Sequence, residues 1–294
     1  MLTAIYGRVL KERQIPYVLE LLNLLKENDI EVVIFGDFLT QLNATGRLEN
    51  NDYKTFSAYN DLEDKEVEYL ISLGGDGTLL DTLPYVQSSN IPILGINLGR
   101  LGFLASTAKE NIRAAVFALK NKSYKIDKRT LLHLDSNREL FDGVNYALNE
   151  FSIHKNDTSS MITIHTYING ELLNSYWADG LIVATPTGST GYSLSCGGPI
   201  IFPTSENFVI TPIAPHNLNV RPMVVSSDTV ISFEVEGRAD HFLCTLDSRY
   251  ANIDSSIQLA VKKEHFYINL LRLDDIDFLS TIRTKLMWGA DQRN

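Results

Sequence analysis

The acid within Gly74-Gly75-Asp76-Gly77-Thr78 is the residue of this chain that most calls for a chemical explanation. Glycines allow backbone to approach a phosphate closely and to take dihedrals that other residues resist. Thr78-Leu79-Leu80 reads as the start of a helix, whose free N–H groups suit an anion. Asp76 would then stand beside phosphates with no basic neighbour in the turn. That is an unfavourable place for a carboxylate unless it coordinates a metal or accepts a proton. The plainer alternative is a tight strand-to-helix turn with Asp76 as a cap.

A second cluster begins at Asp179-Gly180, runs through the apolar Leu181-Ile182-Val183-Ala184, and opens into Thr185-Pro186-Thr187-Gly188-Ser189-Thr190-Gly191-Tyr192-Ser193-Leu194-Ser195. Small hydroxyls and glycine amides suit ribose and phosphate oxygens, and the Tyr192 ring suits a base or a nicotinamide. The same composition also builds plain loops. A third cluster is Asn149-Glu150, a polar pair in the strand-like run Tyr146 to His154. Its acceptors and amide could clamp a ribose diol, or the pair could face solvent.

Several chemistries are excluded. No G-x-G-x-x-G follows the first strand, where Gly7 is succeeded by Arg8, Val9 and Leu10, and no G-x-x-x-x-G-K-[ST] occurs. His154, His165 and His241 have no zinc-ligand spacing with each other or with the cysteines, and no G-x-S-x-G elbow accompanies a serine. His216, between Pro215 and Asn217, reads as a turn residue. Cys196 and Cys244 form no C-x-x-C motif and read as small buried hydrophobes. A net charge of −10 argues against a protein built to grip nucleic acid. There is no signal-peptide pattern at the start and no apolar run of the roughly 18 residues that a membrane span needs, so a cytoplasmic protein without membrane partners is expected.

The elements that must hold these residues follow from patterning. Residues 2–7 read as a strand, Pro16 opens a helix with Val18, Leu21, Leu22 and Leu25 on its apolar face, and Ile30 to Phe35 is a second strand. Residues 36–65 carry little periodicity and are expected to form a loop with a short helix. Tyr69 to Leu73 and Ile91 to Ile96 are further buried strands, as in an open α/β sheet. Beyond Lys122 to Lys128 come short strand-like runs, Leu131–Leu134, Tyr146–His154, Met161–Ile168, Gly180–Ala184, Phe208–Thr211, Thr229–Val235 and Phe266–Leu270. Asp277 to Trp288 has the spacing of an amphipathic helix. The expected fold is an α/β N-terminal domain with an open, mostly parallel sheet over residues 1–125, a β-rich domain over 126–270, and a C-terminal segment, 271–294, returning to the first domain.

Together these segments resemble the NAD kinase family, within the superfamily of diacylglycerol, sphingosine and 6-phosphofructokinases. The glycine motif alone identifies only the superfamily. Asn149-Glu150, Asp179 through Tyr192, Asn97-Leu98-Gly99-Arg100-Leu101-Gly102-Phe103-Leu104 and Pro212-Ile213-Ala214-Pro215-His216 are more discriminating. The resemblance implies phosphorylation by ATP of the 2′-hydroxyl of the adenosine ribose of NAD, with Mg²⁺ or another divalent cation, in a homodimer or homotetramer. NAD would lie between the domains and often against a neighbouring subunit. By the resemblance, Asp76 activates the ribose hydroxyl, as base, metal ligand or both. Gly74, Gly75 and Gly77 stay close to the nucleotides, and Asn149 and Glu150 take ribose hydroxyls. Asp179, Thr187, Thr190, Gly191, Tyr192, Ser193, Leu194, Ser195 and Ala214 line the nicotinamide side.

Three departures stand out. Gly191 replaces a frequent alanine and is expected to loosen its loop without deleting a contact. Asp81 stands where the family often has a basic or neutral residue, and it would repel a phosphate if it pointed inward. Asp247-Ser248-Arg249 replaces a frequent Asp-Gly-Gln and adds a cation of unassigned direction. A lipid or sphingoid-base kinase and a non-catalytic NAD(P) sensor remain the alternative readings. Polyphosphate use, NADH acceptance and inhibition by NADPH are not encoded in these motifs.

Overall fold

The computed structural model describes residues 1–48, 53–156, 160–273 and 277–288. The chain divides into two compact units, Met1–Lys128 with Ile268–Asn294, and Arg129–Tyr267.

The first unit is an α/β fold around a parallel sheet. Lys54–Phe56, Glu31–Phe35, Leu2–Gly7, Tyr69–Gly74 and Ile93–Asn97 lie side by side in that order, and Leu270 of the strand Leu259–Arg272 continues the sheet beside Ile93. The strands are apolar almost throughout because helices cover the sheet. The helix Ile15–Glu27 starts with Pro16 in its first turn, where the missing N–H matters least. It buries Val18, Leu21, Leu22 and Leu25 in a core shared with Ile5, Ile34, Ile71, Leu94 and, from the helix Ile112–Asn121, Val116 and Leu119. The register pairs Gly7 with Leu73 and Gly74 with Asn97, so the carboxyl ends of three strands are level.

Residues 36–65 hold more structure than their pattern suggests: the helices Gly36–Ala44 and Tyr59–Glu63 and the edge strand Lys54–Phe56. Phe38 and Leu42 are the buried residues of the first of these helices, with Leu39 partly buried against the same core, a set too sparse to register as periodicity. Near the C terminus, the helix Phe278–Leu286 is capped by Asp277, whose side chain accepts from the Ser280 N–H. Lys285 Nζ lies 4.6 Å from the centre of the Phe103 ring. Residues 274–276 and 289–294 of the expected C-terminal segment lie outside the described residues.

The second unit is antiparallel and β-rich. One sheet includes Glu171–Ala178, Ile162–Ile168, Ile231–Glu236 and the first part of Leu259–Arg272. The other runs Met223–Ser226, Asn207–Ile213, Gly180–Ala184, Glu150–Lys155, Phe242–Leu246, Arg249–Ile253. Alternation places Ile231, Phe233 and Val235 inward, packed with Phe151, Phe208 and Phe242. The strand Gly180–Ala184 is buried at every residue. Leu181 and Val183 face the main core, while Ile182 and Ala184 meet Val209, Cys196, Ile201 and Ile213 in a smaller cluster. The loop after that strand therefore folds back onto it. Tyr146 to His154, read as one strand, is two: Tyr146–Ala147 and Glu150–Lys155, interrupted at Leu148-Asn149. Among the described residues no helix is long and apolar enough to cross a membrane.

Candidate active site

In the first unit the chemistry gathers at the carboxyl edge of the sheet, the usual ligand edge of open α/β folds. Asp76 is the first residue of a helix that runs only Asp76–Leu80, with Gly75 as its N-cap, so a long helix dipole is not what faces a ligand there. The half-buried carboxylate accepts three consecutive backbone N–H groups. Phe103 donates to Oδ2 at 2.8 Å, and Leu104 and Ala105 donate to Oδ1 at 3.1 and 2.9 Å. The Asn97–Leu104 motif and the glycine motif, 27 to 29 residues apart at these contacts, thus form one structure. An ionised carboxylate offers about four acceptor positions, so Asp76 keeps roughly one for a further donor or a cation.

The glycines divide by role. A Cβ on Gly102 would stand 1.7 Å from Asp76 Oδ1, and one on Gly74 would stand 2.2 Å from Thr78 Oγ1, so both positions exclude a side chain. Gly75 and Gly77 meet nothing within 4 Å and present bare backbone to open space. Asp81, feared as a repulsive charge, is ion-paired with Arg8: Arg8 Nε lies 2.6 Å from Asp81 Oδ2, with the Asp81 side chain only 7% exposed.

In the second unit the break at Leu148-Asn149 is held from a distance. The carboxylate of Asp247 accepts the N–H groups of Leu148, Asn149 and Glu150 at 2.8, 2.7 and 3.2 Å. Asp247 sits at φ 52 in the turn between Phe242–Leu246 and Arg249–Ile253, a conformation that Asp tolerates better than most residues. Arg249 donates to the carbonyls of Val144 and Tyr146 and lies 5.9 Å from the Phe141 ring. The cation of unassigned direction thus braces the segment leading into Asn149.

Glu150 begins its strand with Oε2 buried and lacking a hydrogen-bond partner among the described residues. Burial, reinforced by the charge of Asp247, pushes its carboxyl up to about 8, against the pull of the Tyr192 N–H. Burial also raises Asp247, but three amides and Arg249 oppose it, so Asp247 is the better holder of the negative charge.

The hydroxyl-rich loop clasps the pair directly. Thr185 donates its N–H to the Asn149 carbonyl at 2.9 Å and its hydroxyl to that of Leu148. A Cβ on Gly188 would stand 2.0 Å from the Asn149 carbonyl oxygen. On Gly191 it would stand 3.0 Å from Glu150 Oε2 and 3.7 Å from Asn149 Nδ2. Gly191 therefore does more than loosen the loop: an alanine methyl would press on Glu150. Thr187 Oγ1 accepts from the buried Arg129 at 3.2 Å, the Thr190 hydroxyl donates to the Thr187 carbonyl, and Ser193 Oγ pairs with Thr211 Oγ1 at 2.8 Å. These hydroxyls are engaged by the loop and its supports, whereas Ser195 and Tyr192 are exposed, Leu194 partly so.

Tyr192 stacks on His154, with centroids 5.7 Å apart and planes 14° from parallel. His154 Nε2 meets Ser152 Oγ at 2.7 Å, and burial pulls its pKa down, which keeps the ring neutral. Asp179 pairs with Lys155 at 2.6 Å, and its N–H donates to the Ile213 carbonyl, which brings it beside Ala214, an alanine held at φ 44. His216 packs against Trp177 at 4.5 Å, with its N–H on the Trp177 carbonyl. Arg129 and Lys155 escaped the sequence reading; His154 entered it only as a rejected zinc ligand, and Asp247 only as part of the departure Asp247-Ser248-Arg249. Among the described residues no group of three or more His, Cys, Asp or Glu side chains could hold a metal ion.

Two family models match the chain, the ATP-NAD kinase N-terminal domain over residues 4–124 and the ATP-NAD kinase C-terminal domain over residues 148–272. The NAD kinase of Cytophaga hutchinsonii is 52% identical over 297 residues, covering 100% of both chains. That of Flavobacterium psychrophilum is 49% identical over 296 residues, again covering 100% of both. Among solved structures, yeast NADH kinase complexed with NADH superposes with a TM-score of 0.88 at 22% identity, covering 100% of this chain and 89% of that one. An NAD kinase from Archaeoglobus fulgidus in complex with ATP gives a TM-score of 0.74 at 24% identity, covering 98% and 99%. Both share the fold.

Proposed function

The chain belongs to the NAD kinase family, and from that premise we propose that it transfers the terminal phosphoryl group of ATP to the 2′-hydroxyl of the adenosine ribose of NAD, giving NADP and ADP. The observation that carries this reading is the Asp76 carboxylate, fixed by three amides beside the open backbone of Gly75 and Gly77. A sugar hydroxyl is a weak nucleophile, and its transfer reaction needs a positioned proton acceptor and in-line alignment. Asp76 takes the 2′-hydroxyl proton as the oxygen attacks the terminal phosphorus. The bond from that phosphorus to the bridging oxygen breaks, and ADP leaves with the electron pair.

Gly74, Gly75 and Gly77 supply close backbone to the phosphates. Asn149 and Glu150 take ribose hydroxyls, and a Glu150 that is protonated near neutral pH donates rather than accepts. Tyr192, with His154 behind it, offers a ring face to the nicotinamide side, together with Asp179, Thr187, Thr190, Gly191, Ser193, Leu194, Ser195 and Ala214.

Asp76 retains an acceptor position that would suit a Mg²⁺ arriving on the triphosphate, since such ions often take only one or two carboxylates besides phosphate and water. Bound there, Mg²⁺ supplies charge neutralisation at the phosphate oxygens. The proposal includes a homodimer or homotetramer in the cytoplasm. Exposed Leu172, Trp177, Leu218 and Met223 support association, and the free thiols of Cys196 and Cys244 suit a reducing compartment.

A coupled assay for NADP with purified protein, NAD, ATP and Mg²⁺, run beside Asp76→Asn and a parallel polyphosphate reaction, tests the reading. ATP-dependent NADP that is lost in the variant supports it. No NADP from either donor overturns it and turns attention to lipid substrates or ligand sensing.

A further inference from the structure

We infer that Arg8, oriented by the buried carboxylate of Asp81, is a phosphate contact for the donor nucleotide and sets the affinity of the enzyme for it. The inference rests on the kinase reading above and deepens it.

Arg8 follows directly on the strand Leu2–Gly7, whose last residue is in register with Leu73, immediately before the glycine motif. Asp81 comes from the other side of that motif and is tied to it by its own N–H on the Gly77 carbonyl at 3.1 Å. The 2.6 Å contact from Arg8 Nε to Asp81 Oδ2 therefore brackets the turn whose backbone is bare at Gly75 and Gly77. The two side chains differ sharply in exposure, 60% for Arg8 and 7% for Asp81. Here the acid is the buried, fixed member, and the cation stands in solvent at the carboxyl edge of a parallel sheet.

A guanidinium has five N–H donors, so one held at Nε by Asp81 and bonded once to Tyr6 still offers terminal N–H groups to a phosphate. Tyr6 also accepts a hydrogen bond from Arg8, and its ring packs on Phe35 at 4.8 Å and on Tyr85 at 5.5 Å. These aromatic contacts give the base of the arginine a rigid seat. The glycine motif itself contains no cation, so phosphates gathered there need positive charge from elsewhere, and Arg8 is the cation that the geometry ties to the motif.

The test compares wild type with Arg8→Ala, Arg8→Lys and the double variant Arg8→Ala/Asp81→Ser. The double variant removes the buried acid that the single alanine leaves uncompensated. Steady-state kinetics give KM separately for ATP and NAD. Calorimetric titration with a non-hydrolysable ATP analogue plus Mg²⁺, and with adenosine, reads binding without turnover.

The expected result is a donor KM and analogue Kd raised about tenfold or more in both alanine variants, the size of one lost charged hydrogen bond. Arg8→Lys falls between, and the NAD KM and adenosine binding stay within about twofold. Analogue affinity unchanged in the double variant, with or without a lowered melting temperature, overturns the inference and leaves the pair structural. If wild type makes no NADP, the kinase reading fails instead, and the analogue titration still decides the role of Arg8.

Discussion

Glu150→Gln removes a carboxyl that the second unit buries beside another acid, and it keeps an oxygen to accept the Tyr192 N–H. In the folded chain this carboxyl titrates near 8 instead of its ordinary 4.5, because burial and the Asp247 charge disfavour its anion. At about 1.36 kcal/mol for each pH unit, that displacement sets an upper bound on the order of 5 kcal/mol on the stability lost when it ionises. The sign follows from proton counts. Between pH 4.5 and 8 the unfolded chain has released this proton while the folded chain keeps it, so stability falls as pH rises through that window and levels off above it. Glutamine cannot ionise, so the variant is expected to lose most of that slope and to gain stability relative to wild type at alkaline pH. Urea unfolding of both proteins, at several pH values from about 5 to 9, measures it. Parallel curves for wild type and variant would refute the reasoning. Asp247→Asn provides the contrast. It cannot offer three consecutive N–H groups a carboxylate, and a loss of about 1–3 kcal/mol is expected, shrinking as pH rises because burial raises the Asp247 carboxyl too.

Asp76→Asn presents an amide to N–H groups that now meet carboxylate oxygens. Turnover is expected to fall roughly 10²–10⁴-fold, with NAD binding retained and the melting temperature lowered; equal turnover in both proteins would remove Asp76 from the proton transfer. Gly102→Ala drives a methyl into Asp76 Oδ1 at 1.7 Å, so NADP formation should collapse although residue 102 itself does no chemistry. Retention of wild-type kcat would show that the Phe103–Ala105 clamp is dispensable. His133 lies between Glu264 at 2.7 Å and Asp135 at 3.2 Å, with Lys262 on Asp135, and the hydrogen bond to Glu264 is the main cause of its raised pKa. Its contribution is complete below the ordinary 6.5 and is lost as pH rises through the raised value. His133→Gln should therefore flatten the alkaline part of the melting-temperature profile, and an unchanged profile would count against the pairing.

The parallel sheet was legible because its strands are covered on both faces and read as unbroken apolar runs, as in Ile30 to Phe35 and Tyr69 to Leu73. The helix Gly36–Ala44 was not, since two buried side chains suffice to dock it. The 14-residue strand Leu259–Arg272 showed only its last apolar stretch, because Lys262, Lys263 and Glu264 interrupt the pattern within it. In the candidate site, residue types singled out the segments, but the contacts that arrange them join residues far apart in the chain. The break at Leu148-Asn149 is imposed from Asp247, 97 to 99 residues away, and no local pattern carries that.

The two units meet the same physical problem in the same way. In each, one aspartate accepts three consecutive backbone N–H groups from a distant segment: Asp76 from Phe103 to Ala105, Asp247 from Leu148 to Glu150. A segment with three amides turned to one side chain cannot pair them in a sheet, so the carboxylate satisfies donors that would otherwise be stranded, and it fixes the loop. What separates the two is what lies beside the carboxylate. Asp247 spends it on the amides of Leu148, Asn149 and Glu150, with Arg249 bracing the same segment. Asp76 lies beside Gly75 and Gly77, which meet nothing within 4 Å, and the function proposed above uses the carboxylate held there as its proton acceptor. Sequence motifs cannot separate the two settings, because both are a single Asp in a tight turn; the bare backbone of Gly75 and Gly77 is found beside Asp76 alone of the pair.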